Sequence, residues 1–230
     1  HKRKLLELYC EYMEDYAKRI GINRAASSLK VHKASYKTLQ KFVNDCYGVE
    51  DIPLKQLDYS FIERYDSFLR TDMGYSIATV EGYIIKLKTM TRTALAQGTI
   101  RYNPFASFIP EKALRKHRHL TMDELQKLMD APIADKFLCR VRDLFIFSTF
   151  TGISYIDMCN LNTGNVSKDS KGNLWIKLKR QKTKSECAIR LLDIPRRIME
   201  KYKVERTGDR LFNMPCRSAL TNNMPKLAKL

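Results

Sequence analysis

The chain has 230 residues, 44% of them hydrophobic, with 42 Lys and Arg against 25 Asp and Glu and a formal net charge of +17. That apolar content suffices for one large domain or two small ones with real cores, which excludes a disordered chain. The charge excludes an enzyme of small neutral metabolites and points to a polyanionic partner, with solubility or ribosomal association as alternatives.

The basic residues recur between apolar ones along the whole chain, the pattern of a folded nucleic-acid-binding surface rather than a basic tail. Cys10, Cys46, Cys139, Cys159, Cys187 and Cys216 form no C-x-x-C pair and have no His at zinc-ligand spacing, so they read as reduced cytoplasmic thiols with no metal site. No run of about 18 apolar residues and no apolar leader appears, so no membrane partner is expected.

Leu5, Tyr9, Met13, Tyr16 and Ile20 recur at steps of three and four and predict an amphipathic helix. Over residues 25–47, Tyr36, Leu39, Val43 and Cys46 make the inward stripe of a second helix. Lys30, Lys33, Lys37 and Lys41 make a basic stripe beside it, with His32 and Ser35 adjoining as surface residues outside the site. Asp58 caps a third helix carrying Phe61, Ile62, Tyr65, Phe68 and Leu69, closed by Gly74. Ser76 caps a fourth, with Val80, Tyr83, Ile84, Leu87, Met90 and Ala94 inward, Lys88 and Arg92 one turn apart, and Gly98 as its stop. Helices of this length make a small bundle.

Pro104 and Pro110 then break the pattern, and Lys112, Arg115, Lys116, His117 and Arg118 crowd together. The reading is a helical domain over 1–108, a basic linker over 109–118 and a second domain over 119–230. A basic linker suits a clamp on a duplex, since each phosphate contact releases counterions; a merely solvated connector is the alternative.

Thr121 and Glu124 have capping-box spacing and open a helix with Leu125, Leu128 and Met129. Phe137 to Phe150 reads as a buried helix ended by Thr151-Gly152, with a short helical segment from Ser154 to Leu161. Leu174, Ile176 and Leu178 then alternate with Trp175, Lys177 and Lys179, which predicts a strand with Trp175 covering a neighbouring helix, an aromatic stacking platform being the alternative. A second strand is expected over 187–192, and Pro195 at the first position of a helix. The fold class is mainly α, a four-helix domain followed by a mixed α+β domain with a small antiparallel sheet.

Taken in order, the bundle, the closing segment Gly98-Thr99-Ile100-Arg101-Tyr102-Asn103-Pro104-Phe105 and the opening Leu120-Thr121-Met122-Asp123-Glu124-Leu125 resemble the tyrosine recombinases. The nearest likeness is to integrases of bacterial conjugative transposons. Thr151-Gly152-Ile153-Ser154-Tyr155-Ile156-Asp157 resembles the family's T-G-x-R-x-x-E/D segment, and Arg180-Gln181-Lys182-Thr183 its strand-turn lysine. The resemblance implies a core-binding, SAM-like first domain and a partial catalytic second domain. It implies site-specific recombination: a tyrosine attacks a DNA phosphodiester, giving a 3′-phosphotyrosine and a free 5′ hydroxyl, with no cofactor. Asp157 would buttress the site and Lys182 would protonate the leaving oxygen.

Two departures stand out. Ser154 occupies the place of the family's first catalytic Arg and supplies neither a cation nor a bidentate fork. Arg180, two residues from Lys182 and on the same side of an extended strand, is one substitute; Arg142, on the apolar helix, is another, or else it pairs with Asp157 or Asp143. Nothing after Lys182 matches the H-x-x-R pair or the nucleophile, and Tyr202 reads as packing, so the sequence is expected to lack the C-terminal catalytic part and to be inactive alone.

The implied partner is double-stranded DNA, met by Lys30, Lys33, Lys37, Lys41, Lys88, Arg92, Arg115 and Arg118, mainly at phosphates. The whole protein would act as a homotetramer on DNA, with DNA-bending accessory proteins as optional partners, in a bacterial cytoplasm and on the nucleoid when bound. This chain alone would be a monomer. The rivals are an architectural DNA-binding protein with a degenerate recombinase fold and an RNA- or ribosome-binding helical protein.

Overall fold

The structure is a computed structural model that describes residues 3–112 and 119–229. The chain divides into two compact units, residues 1–116 and 117–230. It is mainly helical, with one small antiparallel sheet.

The first unit contains α1 (Leu5–Lys18), α2 (Ala26–Tyr47), α3 (Tyr59–Thr71) and α4 (Ile77–Ala96). Asp58 caps α3 by accepting the Phe61 amide at 2.8 Å, and all five apolar residues expected inward on α3 are buried. The core centres on Phe42, whose ring lies 5.3 Å from Phe61, 5.0 Å from Tyr65 and 5.3 Å from Phe68. Connecting segments also enter it: Ile52, Leu54, Leu57, Ile100 and Phe105 are all buried. The start of α1 is held from a distance, because the Asp51 carboxylate accepts the amides of Leu6 (2.8 Å) and Glu7 (3.1 Å). That satisfies two donors every helix leaves open.

The inward face of α2 differs from the expected one. Cys46 is exposed, and Leu29, His32, Ser35, Leu39, Phe42 and Val43 are buried. His32, expected at the surface, goes inside because it finds a partner there: the Tyr9 hydroxyl and His32 Nδ1 are 3.1 Å apart, among the rings of Tyr12 and Tyr16. Ile20 lies beyond the end of α1 and is exposed.

The second unit contains α5 (Met122–Asp130), α6 (Lys136–Thr151), α7 (Tyr155–Asn160), β1 (Val166–Lys168), β2 (Leu174–Lys179), β3 (Glu186–Arg190), α8 (Asp193–Lys201) and α9 (Arg217–Leu227). The Thr121–Glu124 capping box is present, and it holds the Glu124 carboxyl below its ordinary range through the Thr121 amide and hydroxyl. The strands form a meander in the order β1-β2-β3, with Ile176 opposite both Val166 and Ile189. Ile176 and Leu191 join Leu144, Phe147, Met158, Ile198 and Phe212 in the core.

Strand β1 was not expected, and β3 stops at Arg190 rather than at residue 192. Pro195 is the third residue of α8, not the first; the missing N–H costs nothing there, because first-turn amides have no intrahelical acceptor. Trp175 is half-buried. It lies on the opposite sheet face from Ile176, and its Nε1 donates to Asp169 Oδ2 at 3.0 Å.

Candidate functional site

On α2, Lys30, Lys33, Lys37 and Lys41 are all exposed. Their ends of the stripe differ. Lys41 pairs with Asp45 at 2.5 Å, and Lys37 and Lys41 line an open groove that also holds Glu7, Glu50 and Asp51. Among the described residues, Lys30, Lys33 and Lys37 make no ion pair, so the free cationic charge lies toward the helix start. On α4, Lys88 and Arg92 are exposed, with the Lys88 Nζ 5.9 Å above the Phe105 ring. Arg115 and Arg118 lie outside the described residues.

In the second unit, Gly152 ends α6 in the left-handed conformation (φ 63°), which glycine adopts without strain, and turns the chain into α7. Ser154 is the N-cap of α7. Its hydroxyl donates to Asp157 Oδ2 at 2.7 Å, while Asp157 Oδ1 accepts the Gln181 amide at 2.8 Å. Asn160 Nδ2 donates to the Gln181 side-chain oxygen at 3.0 Å, so α7 grips this turn twice. The Arg180 guanidinium reaches back to the Gly152 carbonyl at 3.3 Å and to Cys187 Sγ at 3.2 Å.

Ser154, Asp157 and Arg180 are thus brought together, and Lys182 stands exposed on the turn next to Gln181. The extended-strand argument linking Arg180 to Lys182 does not hold, because β2 ends at Lys179 and residues 181–183 form a turn closed by Lys184 at φ 59°. Gln181 and Asn160 were missed by sequence reasoning; the only signal was their place beside Lys182 and one turn after Asp157.

Arg142 is occupied elsewhere. Its Nε bonds Asp143 Oδ1 at 3.1 Å, its Nη1 bonds the Ala131 carbonyl at 2.7 Å beyond the end of α5, and it makes no bond to Asp157. Asp143, 4% exposed, also takes Lys201 Nζ at 2.6 Å and the Tyr202 hydroxyl at 2.9 Å. Burial first, then Asp143, pushes the Tyr202 phenol well above its ordinary range. Among the described residues, no group of His, Cys, Asp and Glu is placed to hold a metal ion, and no helix is long and apolar enough to cross a membrane.

The first unit is a bundle of four helices, and in the second, an α+β unit, the start of α7 meets the turn after β2. The family model of the phage integrase SAM-like domain matches residues 5–114. Among solved structures, the chain resembles a lambda integrase dimer bound to a COC′ core site, with a TM-score of 0.70, 18% identity and coverage of 99% of this chain and 80% of that one. It resembles the Tn1549 transposon integrase in complex with a circular intermediate DNA (TM-score 0.66, 16% identity, 92% of this chain, 69% of that one). It also resembles the XerH recombinase bound to difH substrate (TM-score 0.65, 19% identity, 95% of this chain, 66% of that one). The curated proteins contain no match. Residues 5–114 thus match the phage integrase SAM-like domain, and the chain shares its fold with these solved structures.

Proposed function

We propose that the chain is the duplex-binding and phosphate-activating portion of a site-specific DNA recombinase that cuts and rejoins strands through a 3′-phosphotyrosine. The observation that carries the reading is the 2.8 Å bond from the Gln181 amide to Asp157, which ties the Arg180–Lys182 turn to the Ser154 cap. The DNA bound in these solved complexes of similar fold supports the partner.

In this mechanism, attack on phosphorus builds charge on the non-bridging oxygens, and preset cationic donors lower that barrier. Arg180 supplies the cation that Ser154 lacks, and Lys182 gives its proton to the leaving 5′ oxygen. Asp157 positions both through the turn. Arg142 takes no part, since its donors are spent on Asp143 and Ala131. No tyrosine of this chain is assigned as nucleophile; Tyr202 is bound to Asp143. Lys30, Lys33 and Lys37, with Lys88, Arg92, Arg115 and Arg118, hold the duplex by its phosphates. The whole protein works as a tetramer on paired sites, with bending proteins as optional partners.

The test is a nicked suicide substrate incubated with the intact gene product. Wild type accumulates covalent protein–DNA complex, and Arg180→Ala or Lys182→Ala slows it by about 10²–10³. Unchanged rates in both variants overturn the assignment. The hydroxyl at Ser154 favours one second reading, a non-catalytic architectural protein; tight duplex binding by wild type with no covalent product would select it.

A further inference from the structure

Among the described residues, those on the outer face of the sheet belong to neither hydrophobic core. On the inner face, Ile176 and Leu191 are buried, with Val166, Leu174, Leu178 and Ile189 packed against the same core. On the outer face stand Trp175, Lys177 and Lys179, opposite Arg190, Ala188 and Glu186 in register. Lys177, Lys179, Ala188 and Arg190 are exposed, and none of this face enters the core. Among the described residues, Lys177 and Lys179 make no ion pair.

Trp175 is half-buried and fixed rather than loose. Asp169 accepts its Nε1 at 3.0 Å and the Asn173 Nδ2 at 2.9 Å, and Arg190 Nη2 donates to Asn173 Oδ1 at 2.8 Å. An aromatic ring held in place and flanked by cations is what sequence-tolerant binding of an unpaired strand uses: bases stack on the ring and phosphates meet the cations. A duplex keeps its bases stacked internally and gains nothing from the ring. The face also runs along β2 directly into the turn that carries Arg180 and Lys182.

We propose that this outer sheet face binds a short unpaired DNA strand, stacking one base on Trp175 and laying phosphates on Lys177, Lys179 and Arg190. Resting on the recombinase reading, the face receives the strand released with a free 5′ hydroxyl and keeps it near the turn until it is rejoined.

Trp175 is the only tryptophan in the chain, so its emission reports on this face alone. The experiment titrates the full chain with a ten-nucleotide oligothymidylate and with a duplex of the same length. Saturable quenching by the single strand, weakened about tenfold or more by Lys177→Glu/Lys179→Glu, is expected. That double variant keeps the wild-type unfolding midpoint, since both side chains are exposed, and binds the duplex within about threefold of wild type. Emission unchanged at saturating oligothymidylate, or equal single-strand affinity in the double variant, overturns the proposal. Lys30→Glu/Lys33→Glu/Lys37→Glu keeps the failures apart: retained duplex affinity there sinks the recombinase reading's DNA face, whereas lost duplex affinity with unquenched Trp175 sinks only the sheet proposal.

Discussion

Ser154 is the cap of α7, and its hydroxyl is also a donor to Asp157. Replacing it with Ala removes both contacts and leaves the α7 start uncapped. Urea unfolding should then show a loss of about 1 kcal/mol; an unchanged midpoint would mean the cap contributes nothing. His32 gives a second residue-scale prediction. Burial first, then Lys86 and Arg24, pushes its pKa down from 6.5 to about 4. The folded state therefore binds the proton less tightly than the unfolded one. The stabilisation from the neutral ring is complete above pH 6.5 and is lost as pH falls from there toward 4. NMR titration of the ring should give a midpoint near 4, and His32→Gln should flatten the pH dependence of stability in that window. A midpoint near 6.5 would contradict the buried placement.

At the scale of elements, what the sequence made legible was local. Asp58 and the Thr121–Glu124 box lie within a turn of the amides they cap, so spacing alone announces α3 and α5. The cap of α1 comes from Asp51, 45 residues after the amide of Leu6, and no spacing rule reaches that far. Asp51→Ala should cost about 1–2 kcal/mol in urea unfolding by stranding two amides, and a neutral result would show that water replaces the carboxylate. Strand β1, Val166–Lys168, is too short to show alternation and exists because β2 supplies its partner. Phe42 was absent from the expected stripe, yet it sits at 0% exposure among Phe61, Tyr65 and Phe68. Phe42→Ala should destabilise the first unit by about 3–5 kcal/mol in thermal or urea melts, more than any cap.

For the whole molecule, the +17 charge is unevenly paired: among the described residues Lys30, Lys33 and Lys37 make no ion pair, whereas Lys41 is held by Asp45. The candidate site was partly legible in the sequence. Asp157 and Lys182 were named as candidates from motif order, whereas Arg180 was named from an extended strand that ends at Lys179, before it. For Arg142 the sequence offered Asp143 as one of two acidic partners, but the Ala131 carbonyl it also holds is remote in sequence from any motif.

In the proposed function the first unit grips duplex DNA through Lys30, Lys33 and Lys37 at the start of the α2 stripe. The most direct measurement is the salt dependence of duplex binding, followed by fluorescence anisotropy of a labelled duplex, for wild type and for Lys30→Ala/Lys33→Ala/Lys37→Ala. Each phosphate contact removed should lower the log–log slope by about 0.9, so the triple variant should bind more weakly and lose about 2–3 from the slope. A triple variant with the wild-type slope and affinity would contradict the account.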